Sequence, residues 1–429
     1  MKEEIYDVVI IGAGAAGLMA AWELVQVNKR VVIAEARDRI GGRVHTVDKS
    51  GFTMPVELGA EFIHGELPLT KMLLKKAGVD FYKVKGDIWR KQDTGLEQES
   101  DFIEDYSLLE EKLTKVESDM PVAEFLNTYL AGPELEELRT SLLSYVEGYY
   151  AADPKRTSTF ALREELEKGD EEQYRVAGGY RKMIRFLEEE LEKKGCPVLL
   201  STPALEVNWQ SDPVEVYSAK SELYGRKLIV TVPLGVLQAG AIAFTPAIPG
   251  HLEASRTLGF GAVIKVLLQF GGPFWKQKEN TAGKDLSQAG FIFSEEEVPT
   301  WWTQEPKEVP ILVGWLAGPH AERMKHLSEE DILQKALASL GNIFTMDMNE
   351  LRTALQAHKV SNWAADPYCL GGYSYEVVHG SKAKQKLKEP INNRIFFAGE
   401  ALFEGVEGGT VEAALANGLE TAHQVIASF

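Results

Sequence analysis

The sequence predicts an α/β fold, with a parallel βαβ nucleotide-binding unit in one domain and a mixed sheet with helices in a second. Three observations carry this. A strand, glycine turn, helix and second strand follow one another from Asp7 to Arg37, "DVVIIGAGAAGLMAAWELVQVNKRVVIAEAR". Strand-plus-glycine signals return at two distant places in the chain. The length of 429 residues suggests two domains of roughly 150 to 250 residues rather than one core.

Taken in order, Asp7 to Ile11 is a mostly β-branched apolar run that reads as a buried parallel strand. Gly12-Ala13-Gly14-Ala15-Ala16-Gly17 turns the chain into a helix, and Arg30 to Ala34 is a second strand ending on Glu35. In that context glycines at the first two places let the backbone turn and approach a pyrophosphate, which the helix N-terminus attracts. Glu35 would accept hydrogen bonds from a ribose diol and repel a 2′-phosphate, which favours FAD or NAD over NADP. "EARDRIGGRVHT" follows, where Arg43 beside Gly41 and Gly42 would neutralise the pyrophosphate. Gly178 to Pro233 holds the helix "GGYRKMIRFLEEELEKKG" and strands ending in "RKLIVTVP"; Arg394 to Phe429 holds the strand "RIFFAG", a glycine loop and a closing helix. Helix-rich Leu67 to Tyr174 and strand-rich Phe244 to Lys382 lie between. The expected nucleotide domain is therefore 1–66, 175–243 and 384–429, and the substrate domain 67–174 and 244–383.

Composition narrows the function. With 46 Lys+Arg against 64 Asp+Glu the net charge is −18, so no basic face is available for nucleic acid. The acidic balance fits a polycationic substrate or a solubilising surface. "SEEEVP" and "EELEKGDEEQ" read as acidic surface patches. Met1-Lys2-Glu3-Glu4 runs straight into the first strand without a signal-peptide pattern, so the expected location is cytoplasmic. The apolar stretch Leu228 to Phe244 is broken by Pro233, Gly235 and Gln238 and reads as strand and turn rather than a membrane span. Two cysteines, Cys196 and Cys369, are too few for a disulfide framework or a metal cluster, and no metal site is expected.

The glycine turn, Glu35 and the "GGR" loop together resemble the flavin amine oxidase family. "VELGAEFIHG" (Val56 to Gly65), "GGY" (Gly178 to Tyr180), "VTVPLGVL" (Val230 to Leu237), "DPYCLGGYSY" (Asp366 to Tyr375) and "FFAGEALFEGVEGGTVEAALANG" (Phe396 to Gly418) fall in the family's order across essentially the whole chain. The resemblance implies a Rossmann-type, GR2-like FAD-binding domain. It implies FAD contacts from Gly12, Gly14, Ala15, Ala16, Glu35, Ala36, Arg37, Gly42, Arg43, Gly59, Ala60, Glu61, Phe62, Val207, Trp363, Gly399, Glu400, Gly409, Thr410 and Val411. Glycines before the last helix aim its N-terminus at the flavin, where it would stabilise the anionic reduced ring.

The same resemblance assigns catalytic roles. Lys265, in "GAVIKVLLQF", matches a lysine that holds a water near flavin N5 and assists oxygen reduction; period-2 alternation puts it on one face with Val263 and Leu267, an unfavourable place for an ammonium without a partner. Tyr373 matches the aromatic residue beside the flavin that orients the amine. Thr410 stands where monoamine oxidases have a second tyrosine, as in the lysine-specific histone demethylases. His64 matches a histidine of spermine-oxidising relatives that faces the substrate passage. Glu61 would attract a cationic substrate or hydrogen-bond the flavin loop. Trp301, Trp302 and Trp315 lie where family members build the cavity wall.

Departures refine the expectation. Monoamine oxidases attach FAD through a cysteine that is Gly372 here, with Cys369 offset by three residues, so FAD is expected to be noncovalent. "LGAEFIHGELP" carries no arginine of the kind amino-acid oxidases use for a carboxylate. The chain shows neither a C-terminal apolar tail nor the long helical insertion of the histone demethylases. The expected activity is FAD-dependent oxidation of a polyamine or monoamine by hydride transfer from its α-carbon to N5, giving an imine or aldehyde and hydrogen peroxide. Dioxygen and the amine are the expected partners, with no nucleic acid or membrane, in a monomer or homodimer. A desaturase or porphyrinogen-oxidase-like enzyme on an apolar substrate, or a flavin-binding scaffold, are the alternatives.

Overall fold

The computed structural model describes residues 4–48, 50–103, 105–167, 172–405 and 407–429. Strand β1 (Ile5–Ile11), helix α1 (Ala15–Gln26) and strand β2 (Val31–Ala34) form the expected opening unit. β1 lies parallel to β2 on one side and to Glu222–Val230 on the other, with Ile11 opposite Ala34 and Val230. Among the described residues these belong to an eight-stranded sheet that also takes in Val198–Leu199 and Ile395–Phe397 as parallel strands, so the three nucleotide-type segments meet in one sheet. Val8 and Ile10 pack on the layer holding α1, the helix Arg181–Lys193 and the C-terminal helix Val411–Ala427, while Val9 and Ile11 enter a second core on the opposite face. Burial on both faces explains why the strand reads as a continuous apolar run.

A second sheet, seven-stranded among the described residues, runs in the order Leu355–Asn362, Val263–Phe270, Ile311–Ala317, Thr300–Trp302, Ala289–Phe293, Asp87–Gln92, Gly95–Glu99. Alternation gives it two faces. Ile264, Val266, Leu268, Leu312, Leu316, Ile292 and Trp301 point into a core closed by the helix Glu329–Phe344. Register places Lys265 opposite Trp315, Val313 opposite Trp302, and Trp302 opposite Phe291 on the other face. Helices Val122–Tyr129, Glu136–Gly148 and Thr159–Glu167 build a further apolar cluster.

Among the described residues a three-stranded sheet joins Phe62–His64, Gln173–Val176 and Phe81–Lys83, pairing Phe62 with Arg175. It stitches together residues on both sides of the boundaries expected at 66/67 and 174/175. Leu228 to Phe244 forms the end of one strand, a short helix and the start of another, and no helix among the described residues is long and apolar enough to cross a membrane. Lys168 to Glu171 of the acidic "EELEKGDEEQ" stretch, Met1 to Glu3 at the N-terminus and Val406 of the last motif lie outside the described residues.

Candidate active site

The glycine turn divides its labour. At Gly12, with φ +108°, a Cβ would fall 2.6 Å from Thr231 Oγ1, and at Gly17 one would fall 2.0 Å from the Gly12 carbonyl oxygen; these two glycines serve close packing. At Gly14 a Cβ would meet nothing within 4 Å, although Gly14 is the N-cap of α1 and no side chain caps its free N–H groups. Gly14 bridges to Gly41, and Gly42 lies alongside. The small side chains of Ala15 and Ala16 follow. This open space beside uncapped helix N–H groups fits the diphosphate of a dinucleotide.

Glu35 closes β2, where its carboxylate accepts the N–H groups of Ala13 at 2.7 Å and Arg37 at 2.9 Å. Burial pushes this carboxyl up against the pull of those bonds. Two oxygens can accept further bonds from a ribose diol. Ala36 follows, half-buried. Arg37, expected to contact FAD, makes a bidentate pair with Asp366 at 2.9 and 2.6 Å and reaches Cys369 Sγ at 3.3 Å. Arg43 is likewise engaged, donating to the Gly372 carbonyl at 2.7 Å and to Glu400 at 2.8 Å. Glu400 is buried and also accepts from the Ser374 hydroxyl at 2.6 Å. Gly399 N–H donates to Asn417.

Val207 is not brought to this site. It is 0% exposed in the core, on a strand with neighbours on both sides, which leaves it no surface to offer. Gly59 and Trp363 are brought in: a Cβ at Gly59 would fall 1.8 Å from the Arg43 carbonyl oxygen and 3.2 Å from the Trp363 ring, whose N–H donates to Leu58 O at 2.7 Å. Ala60 N–H donates to the same Arg43 carbonyl. At the other end Thr410 caps Val411–Ala427, accepting from Ala413 N–H and donating to Glu407 O. Gly409, with φ +76°, passes beside Tyr373, leaving 3.1 Å for a Cβ.

The face of the second sheet opposite that core carries a charged and aromatic cluster. Lys265 is 1% exposed, donating to Glu61 Oε2 at 2.6 Å and Gly59 O at 3.3 Å, with its ammonium 5.4 Å from the Trp302 ring centre. Glu61 Oε1 accepts from Arg175 at 2.9 Å and Trp302 Nε1 at 3.1 Å. Burial alone would raise the Glu61 carboxyl; Lys265 and Arg175 outweigh it and hold the group below its ordinary value. Glu61 is therefore a clamp between two cations rather than a free lure for a cationic substrate. Phe62, Phe291, Trp302, Trp315 and Tyr373 continue this face as a run of ring contacts, with Trp315 nearly parallel to Tyr373. Tyr373 donates to the Tyr149 carbonyl at 2.5 Å, and burial pushes its phenol up. His64 Nδ1 lies 3.3 Å from the Tyr149 hydroxyl. Trp301 is a correction: alternation turns it into the core, away from the site.

A profile of the family described as flavin containing amine oxidoreductase matches residues 15–94 and 90–426. The chain belongs to this family. It is accordingly a flavin-dependent amine oxidoreductase. Among relatives, polyamine oxidase 2 of Arabidopsis thaliana is 29% identical over 98% of this chain and 88% of its own length. Lysine-specific histone demethylase 1 homolog 2 of Oryza sativa subsp. japonica is 28% identical over 98% of this chain and 57% of its own. The fold matches putrescine oxidase, in a triple mutant with redesigned cofactor binding, at a TM-score of 0.80 with 20% identity over 98% and 99% of the two chains. Cyclohexylamine oxidase from Brevibacterium oxydans IH-35A gives 0.78, also at 20% identity, over 98% and 99% of the two chains.

Set in this amine oxidoreductase, four residues were missed by the reading of the sequence: Glu57, Tyr149, Arg175 and, as a partner for Arg37, Asp366. Arg175 left a signal as a cation inside the short strand before "GGY", and Glu57 and Asp366 lie within the stretches "VELGAEFIHG" and "DPYCLGGYSY" without a role assigned to them.

Proposed function

We propose that this amine oxidoreductase holds FAD noncovalently and oxidises an amine to an imine, with hydrogen peroxide formed when dioxygen accepts the electrons. When bound, the flavin supplies the hydride acceptor N5. The observation that carries this reading is Lys265, buried in an apolar sheet face yet paired, among aromatic rings that lead to the flavin loop at Gly59. Trp315 and Tyr373 form a wall that orients the amine and excludes water around its α-carbon. Lys265 provides the proton and the positive charge for oxygen reduction. Gly14, Gly42, Ala15 and Ala16 cradle the diphosphate on the turn that Gly12 allows, Glu35 the ribose, and Gly399, Glu400 and the Gly409-Thr410-Val411 helix start face the flavin end.

Noncovalent binding is supported by Gly372, where a Cβ would fall 2.4 Å from Val263 Cγ2, and by the buried Cys369 sulfur held near Arg37. The relatives' names include polyamine, putrescine and cyclohexylamine oxidases, so both linear polyamines and cyclic monoamines are candidate substrates. Because Glu61 is already paired, the rings recognise the substrate, and they favour an amine with an apolar substituent.

Anaerobic titration of the flavin-loaded protein with polyamines, monoamines and amino acids, following the oxidised flavin band, tests the reading. Bleaching by an amine and peroxide on readmitting air are expected. Failure of every amine to bleach would overturn it in favour of an apolar-substrate enzyme or a scaffold.

A further inference from the structure

Glu57 uses one carboxylate oxygen fully and leaves the other without a hydrogen-bond partner among the described residues. Oε1 accepts the Tyr180 N–H at 2.6 Å and the Thr46 hydroxyl at 2.9 Å, while Oε2 is closed off from solvent. Gly179, at φ +86°, makes room for this arrangement, since a Cβ there would fall 2.6 Å from Glu57 Oε1. A buried charged oxygen with no partner is strongly unfavourable, so it calls for a proton or a water.

Glu57 lines a cavity of about 30 Å³, whose other walls include Glu61, Tyr82, Arg175, Gln304 and Leu267. That volume has room for one or two waters, and its polar walls supply the partners they need. Leu267 lies two residues along the strand from Lys265, and Glu61 accepts from Lys265 directly. The cavity thus runs from Glu57 to the back of the lysine cluster.

We propose that water in this cavity connects Glu57 Oε2 to the Glu61–Lys265 pair, and that Glu57 is the internal proton store that restores Lys265 after it gives a proton to dioxygen. This rests on the reading of Lys265 given above. Dioxygen becomes hydrogen peroxide by gaining two electrons and two protons. The oxidised amine supplies both electrons and, in the transferred hydride, one proton; the second leaves Lys265 Nζ. The Glu57 O–H bond then breaks, the Lys265 N–H bond re-forms through the cavity water, and Glu57 takes a proton from solvent. No electron moves in the relay.

The charged and titratable groups around Glu57 are Lys265, Glu61, Arg175, Tyr82 and Tyr180. Its carboxyl stands at about 7, because burial and the neighbouring Glu61 push it up by more than the Tyr180 and Thr46 bonds and Lys265 pull it down. Glu57 therefore exchanges its proton within the neutral range.

Two readouts on flavin-loaded protein test this. Infrared difference spectra across neutral pH are expected to show a protonated-carboxyl band in the wild type, lost as pH rises through about 7 and missing in E57Q. Stopped-flow reoxidation of chemically reduced enzyme by dioxygen, which needs no amine, is expected to slow across the same pH interval in the wild type and to lose that inflection in E57Q. T46A, which removes one bond holding the carboxylate, is expected to shift both midpoints upward, and it serves if E57Q fails to fold. Identical infrared spectra for wild type and E57Q, or a carboxyl midpoint that moves in T46A without the reoxidation midpoint, would overturn the proposal. Failure of amines to bleach the flavin would bear on the proposed substrate alone.

Discussion

At the end of β1 the working surface is backbone, whereas around Lys265 it is side chain. The cradle offers uncapped N–H groups and a gap at Gly14, and all of this comes from residues close in sequence. The lysine cluster assembles Glu61, Arg175, Lys265 and Trp302 from four separate strands or loops into one hydrogen-bonded unit. The first region is sensitive to a single methyl group, and its attraction for an anion comes from backbone dipoles rather than side-chain charge. The second is held by charge balance, so removing one member leaves buried ions without partners.

The largest effect is therefore expected at Glu61. Glu61→Ala strands both Lys265 and Arg175 in the interior, and breaking a buried pair in this way costs about 3–5 kcal/mol. Chemical denaturation measures it. A loss below about 1 kcal/mol, the value of an exposed pair, would show that water reaches the cluster and would remove the contrast between the two regions.

Glu57 and Glu61 sharpen the comparison within the second region, because their pH dependences have opposite signs. Glu57 titrates at about 7 when folded, above its ordinary 4.5, so its contribution to stability is complete below about 4.5 and declines as pH rises toward 7. Glu61 is held below its ordinary value, so its contribution is present above that value and is lost as pH falls through the lowered one. Glu57→Gln should gain stability relative to wild type by up to about 1.4 kcal/mol per pH unit between about pH 5 and pH 7. Paired melts across that range check it, and a constant difference would place the carboxylate in contact with solvent.

Within the cradle, Gly17→Ala and Gly14→Ala separate fold from ligand. The Gly17 Cβ collides with a backbone oxygen at 2.0 Å, so overpacking of about 1–3 kcal/mol is expected. Gly14→Ala meets open space and should leave the melting of the flavin-free protein nearly unchanged while weakening flavin retention. Equal losses of stability in the two variants would show that the gap at Gly14 belongs to packing rather than to a ligand.

The same contrast explains what the sequence disclosed. β1, α1, β2 and Glu35 were legible because their pattern is local, and Lys265 was placed on the correct face because strand alternation has period two. Val207 was misplaced and Trp301 was assigned to the cavity wall because a residue type says nothing about which sheet face covers it. Glu57 and Arg175 were missed because their significance lies in partners more than a hundred residues away: Tyr180 for Glu57, and Glu61 for Arg175. Arg43 was recognised as a cation for the pyrophosphate and Arg37 as an FAD contact, but the carboxylates that hold them, Glu400 and Asp366, come from the far end of the chain.

The smallest expected effect concerns Thr410, where a family comparison and a local pattern give different reasons for the same residue. Read against monoamine oxidases it is a missing aromatic wall; in the structure its hydroxyl accepts from Ala413 N–H and donates to Glu407 O at the start of the C-terminal helix. Thr410→Ala should cost about 1 kcal/mol through loss of the cap, and Thr410→Ser, which keeps the hydroxyl, should restore most of it. If amine-driven flavin reduction follows stability, falling in the alanine variant and returning in the serine variant, the threonine acts by fixing the start of the C-terminal helix. If instead both variants change the preference among amines equally, the missing methyl group is what the substrate feels, and Thr410 belongs with Tyr373 as part of the wall.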